Sequence, residues 1–134
     1  MPERDAVLFV NEAFYRAFAD RDFDALSALW ASQEPVACIH PGWPPLVGRA
    51  AVLESWQRIL ANEQSPKIAC LQPEAFIVGD VAWVICYEAV DESALVATNM
   101  FRREGRHWKL VHHQAGPAPG LPAEEPDEPP PRPN

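Results

Sequence analysis

The sequence predicts an α+β domain in which helices cover one face of a curved antiparallel sheet, and three observations lead there. Residues 81–90, 95–103 and 108–115 are rich in β-branched and aromatic side chains and are parted by two short polar breaks, Asp91-Glu92-Ser93 and Glu104-Gly105-Arg106; that is the pattern of an antiparallel meander. Ahead of them, apolar residues recur at helical spacing in three segments. A sheet with one apolar face needs a cover, and helices gathered on that face supply it. The chain has 134 residues, 48% of them apolar and five of them Trp, enough for one core in one domain.

Taken in order, Asp5 is positioned to cap a helix over 6–19, which presents Val7, Val10, Phe14, Ala17 and Phe18 on one stripe. Asp22 caps a second helix over 23–31, with Phe23, Leu26, Leu29 and Trp30 inward. Pro35 blocks continuation, and 36–40 reads as a short strand. Pro41-Gly42-Trp43-Pro44-Pro45 is a stiff loop, because three prolines fix φ. Gly48 opens a third helix over 49–62, with Val52, Leu53, Trp56, Ile59 and Leu60 on one face. Segments 67–72 and 75–78 are strands, and the turn Gly79-Asp80 leads into the meander.

Residues 1–116 form the domain on this reading. From Pro117 to Asn134, eight of eighteen residues are Pro and most of the others are Ala or acidic. Such a segment buries too little apolar surface to order itself, so it is expected to be a tail. A net charge of −8 offers no basic patch for nucleic acid or anionic membrane. No apolar run approaches the ~20 residues of a membrane span. Cys38, Cys70 and Cys86 are odd in number and widely spaced, which suits free buried thiols in a reducing, cytoplasmic setting.

Three stretches resemble the nuclear transport factor 2-like superfamily, and more narrowly its SnoaL-like members and the association domain of calcium/calmodulin-dependent protein kinase II. They are Ala19-Asp20-Arg21-Asp22-Phe23-Asp24-Ala25-Leu26; His40-Pro41-Gly42 followed by Leu46-Val47-Gly48-Arg49 and Trp56; and Arg102-Arg103-Glu104-Gly105-Arg106 followed by Trp108-Lys109-Leu110-Val111-His112-His113. The resemblance implies a cone, or cystatin-like fold: a strongly bent sheet wrapped around three helices, with a pocket at its wide end. It also implies homodimers through the outer face of the sheet. Members include isomerases, dehydratases and non-catalytic association domains, so the fold leaves the function open. In the steroid-isomerase branch an aspartate before a proline moves a proton; the matching residue here is His40. That branch also uses a tyrosine on the first helix; its place falls on Phe14, which has no donor, with Tyr15 next to it.

His40 is the first catalytic candidate, since an imidazole that titrates near neutrality moves protons in both directions. Glu88, a carboxylate in an otherwise apolar strand, is the second. Trp43, held between prolines, is a candidate lid over an apolar ligand. Trp56, Tyr15, Asn99, His112 and His113 complete the expected ligand-binding set. The two adjacent histidines point to opposite faces of one strand, so one at most enters a pocket. This argues against a metal site, and no motif for a cofactor is present. Val81, Trp83, Ile85 and Tyr87 form one face of a strand and Ala82, Val84, Cys86 and Glu88 the other. Both are largely apolar, so one is expected to pack the core and the other a second copy of the chain. The expected function is a homodimeric pocket protein for a small apolar or amphipathic molecule, with His-centred proton transfer if it is an enzyme. The alternative is a non-catalytic association module.

Overall fold

The structure, a computed structural model, describes residues 2–122. Helix α1 spans Glu3–Ala19, α2 Phe23–Leu29 and α3 Arg49–Ala61; the strands are β1 Ala37–Ile39, β2 Leu46–Val47, β3 Ile68–Val78, β4 Val81–Val90, β5 Ser93–Glu104 and β6 His107–Pro117. One six-stranded sheet runs in the order β2-β1-β6-β5-β4-β3. The helices pack on its inner face, where Phe14, Leu26, Val52, Val84, Phe101 and Leu110 are buried together. The architecture is the expected α+β fold with three helices on a curved sheet. One strand pair departs from it: β1 lies parallel to β6, with Cys38 opposite His113.

Several boundaries move for local reasons. α1 begins at Glu3 rather than after Asp5; Pro2 stands at the N-cap, and Glu3 and Asp5 favour the first turn through the helix dipole. Asp22 caps α2 as expected, accepting from the Ala25 N–H at 3.0 Å. α2 ends at Leu29, because Trp30 turns extended and bridges to Leu110 while the Ala31 N–H donates to the Leu110 carbonyl. The segments expected at 67–72 and 75–78 are a single strand, β3, with a bulge between Leu71 and Glu74. Pro73 has no N–H for the ladder and Gln72 takes φ +52°, so the chain buckles there and resumes pairing.

β6 runs to Pro117, and the Ala118 N–H still donates to Ala94. Most of the expected tail, residues 123–134, lies outside the described residues. Of the three cysteines, Cys38 and Cys86 are buried and Cys70 is half-buried, and all are free. Ala82, Val84, Cys86 and Glu88 are the core-facing set of β4. The opposite face leaves Val81 and Ile85 exposed, with Val96 of β5 beside them. No helix among the described residues is long and apolar enough to cross a membrane.

Candidate functional site

β1 ends at Ile39, and the chain then turns at Pro41 and Gly42, with the Trp43 N–H donating to the His40 carbonyl at 2.9 Å. His40 shares the inward face of β1 with Cys38, two residues back. Across the parallel pair from Cys38 stands His113. The two imidazoles thereby come within 6.5 Å, centroid to centroid. Trp43 and Trp56 each meet His40 edge to face at 4.7 Å. Trp43 is 44% exposed. A cavity of about 310 Å³ is lined by His40, Trp43, Trp56, Glu88 and His113, with apolar side chains such as Phe18 and Leu95 completing it. His40, His113 and Glu88 are all almost fully buried.

Hydrogen bonds fix the state of each ring. Ser55 Oγ donates to the Val52 carbonyl at 2.6 Å, so at 2.8 Å it accepts from His40 Nε2–H. The lone pair of His40 is therefore at Nδ1, whose polar neighbour is the Cys38 thiol at 3.9 Å. Asn99 Nδ2 donates to Asn11 Oδ1 at 2.9 Å and to the Tyr15 hydroxyl at 3.1 Å. That orientation turns Asn99 Oδ1 to His113, whose Nδ1–H donates to it at 2.5 Å. The lone pair of His113 is then at Nε2. The Tyr15 hydroxyl donates to Glu88 Oε2 at 2.6 Å.

Burial governs the charge states. It lowers His40 to about 4. It lowers His113 to about 3, with the nearby His40 and His112 adding to the effect. Both rings are neutral at pH 7. Burial raises the Glu88 carboxyl, and the hydrogen bond from Tyr15 offsets part of the rise. Burial, then the Glu88 charge, holds the Tyr15 hydroxyl well above its usual range. Cys38 is pushed up to about 12, again by burial first and Glu88 second, so its thiol is neutral and no nucleophile.

Of the residues expected at the site, His40, Trp43, Trp56, Glu88 and His113 come together around the cavity. Tyr15 and Asn99 do not line it: they stand one layer behind, holding Glu88 and His113. Tyr15 and Asn11 instead reach a more open groove of about 590 Å³ along α1 and β3. His112 is a correction. It pairs with Met100 on the other side of the sheet and is absent from the cavity wall. The reason is a bulge: Met100 pairs with His112 but Phe101 with Leu110, leaving Val111 unopposed. Strict alternation from Trp108 and Leu110 turns His112 inward; the extra residue turns His113 inward instead. Asn11 and Ser55 were not among the expected residues. Asn11 does carry a signal, as a polar residue inside the apolar stripe of α1, four residues after Val7. Among the described residues, no group of three His, Cys, Asp or Glu is placed to hold a metal ion.

Comparison with known proteins agrees with this fold. The SnoaL-like domain matches residues 7–119. A candidate dehydratase of the nuclear transport factor 2 (NTF2)-like family from Streptomyces avermitilis is 36% identical, with 87% of this chain and 96% of that one covered at a TM-score of 0.79. A candidate calcium/calmodulin-dependent protein kinase type II association domain from Thiobacillus denitrificans is 35% identical, with 81% and 92% covered and a TM-score of 0.74. A cystatin-like protein of unknown function from Nostoc punctiforme shares the fold at 16% identity, covering 87% and 92%, with a TM-score of 0.71. The comparison with curated proteins finds no match. The chain belongs to the SnoaL-like family of the NTF2-like, cystatin-fold proteins.

Proposed function

We propose that the protein binds a small, largely apolar molecule in the cavity under Trp43 and moves a proton on it through His40, with Glu88 as the second polar group of the reaction. The observation that carries this reading is the pair of neutral imidazoles on one cavity wall. Each has one nitrogen spent on a protein partner and the other left with a lone pair. A proton leaving the substrate goes to His40 Nδ1 and returns at another atom, so the net change is a proton shift that needs no redox partner. An imidazole held at about 4 is a weak base, but its conjugate acid returns the proton readily, and it stays in the base form at neutral pH. The likeness to a candidate dehydratase supports acid–base chemistry in the cavity.

The test is a thermal-shift screen of small metabolites, followed by turnover assays on the hits. A true ligand raises the unfolding midpoint by mass action, and the shift disappears in Trp43→Ala. Turnover then disappears in His40→Ala while the fold persists. A hit whose turnover is unchanged in His40→Ala rules out the proton-transfer role.

A second reading, a homodimeric association module, is favoured by the exposed apolar face of β4 and β5 and by the likeness to an association domain. Under it, substitutions on that face dissociate the dimer, and substitutions in the cavity change nothing but stability.

A further inference from the structure

We infer that the cavity selects a small organic amine, bound as its ammonium ion with the nitrogen among Glu88, His40 and His113 and the carbon skeleton between Trp43 and Trp56. This deepens the small-molecule reading of the same cavity and rests on it.

The argument is one of donors and acceptors. Nearly every side-chain donor around the cavity is already spent on the protein. His40 Nε2–H goes to Ser55, and His113 Nδ1–H goes to Asn99. Ser55 donates to Val52, and the Ser65 hydroxyl donates to the Ile59 carbonyl at 2.7 Å. The Tyr15 hydroxyl goes to Glu88. The indole N–H groups of Trp43 and Trp56 remain, and that of Trp56 is fully buried without a partner. Apart from these two indole N–H groups, what the wall offers a ligand is lone pairs: His40 Nδ1, His113 Nε2 and the second oxygen of Glu88. An ammonium group carries up to three N–H donors and no acceptor, which complements that set.

Charge points the same way. No Lys or Arg lines the cavity. Arg21, close by, has its guanidinium taken up by the carbonyl oxygens of Leu60, Asn62, Glu63 and Ser65. A carboxylate or phosphate ligand meets lone pairs and a buried carboxyl and no compensating cation, which is costly in a site of low polarity. A cation instead pairs with Glu88, in a cavity whose wall includes the indoles of Trp43 and Trp56, ring systems that attract cations. At about 310 Å³ the cavity is at the small end of ligand sites, so the amine is a compact one.

The experiment compares benzylamine, benzyl alcohol and benzoate by isothermal titration calorimetry at pH 7.5 on the intact chain. The expected result is benzylamine binding at least tenfold tighter than benzyl alcohol, with benzoate not binding. Glu88→Gln, which still accepts from Tyr15, brings the amine-to-alcohol ratio close to one, and Trp43→Ala weakens both. Equal or tighter binding of the alcohol or of benzoate overturns the amine and leaves the pocket standing. Binding by none of the three overturns both. Because the ranking is read on the unmodified protein, the outcome does not depend on any variant folding.

Discussion

His40 and His113 respond to acid as neutral groups that the fold protects. An unfolded histidine takes up its proton near 6.5, whereas these hold out to about 4 and about 3. Their folded values are lowered, so the stability they contribute is complete above 6.5 and is lost as pH falls through the folded values. For His40 alone the loss is on the order of 3 kcal/mol. Glu88 works in the opposite sense: its raised carboxyl is most favourable at low pH, and that contribution fades as pH rises through its folded value. Two imidazoles outweigh one carboxyl, so the urea midpoint is expected to drop between pH 6.5 and 4, with a shallower slope in His40→Gln. A flat profile means the rings are not buried neutral. Under the proposed proton transfer, turnover needs the free base of His40, so the acid limb of kcat/KM is expected near 4; a limb near 6.5 assigns the proton to another group. Ser55→Ala leaves the Nε2–H of His40 without its acceptor, with an expected loss of about 1–3 kcal/mol in urea unfolding. At this scale the sequence was legible for His40, placed by its strand end and following proline, and for Glu88, placed by an apolar strand. It was mute on Ser55, a small residue next to Trp56 whose importance is set by where the ring of His40 falls.

Among the elements, those with strong periodicity were legible and their junctions less so. α3 and β4 lie within one residue of their expected bounds. β3 and β6 each contain a bulge: Pro73 marks the one in β3, whereas no residue type announces the one in β6, which decides which histidine is inside. The corner between α1 and α2 depends on Arg21. With φ at +54° it directs its guanidinium to four carbonyl oxygens, one in the last turn of α3 and three in the loop to β3. The planar fork does what an ammonium cannot. Arg21→Lys is therefore expected to lose nearly as much stability as Arg21→Ala, about 2 kcal/mol in denaturant unfolding; full rescue by Lys would mean that charge, not geometry, holds the corner. α3 receives its cap from a distance: the Glu34 carboxylate accepts from the N–H groups of Arg49 and Val36. Gly48, at φ +101°, permits that approach.

For the molecule as a whole, the sheet has one face under the helices and the other open, with Val78, Val81, Ile85 and Val96 exposed. Two apolar faces on β4 were legible in the sequence by simple alternation; which face turns inward was not, because both alternating sets are apolar. We expect the open face to pair with a second copy. The double substitution Ile85→Lys and Val96→Lys should then give a monomer by light scattering while ligand binding in the cavity persists; an unchanged mass points to a different interface. The parallel seam between β1 and β6 has a further consequence, for the order of events in folding. The helical hairpin and the meander join neighbours in sequence and close short loops. β1, three residues long, must wait for a strand that the chain supplies only near the end of the domain, and such long closures come late. His40 and His113 meet across that seam, so a refolding chain is expected to regain its strand circular dichroism before the cavity wall that they share.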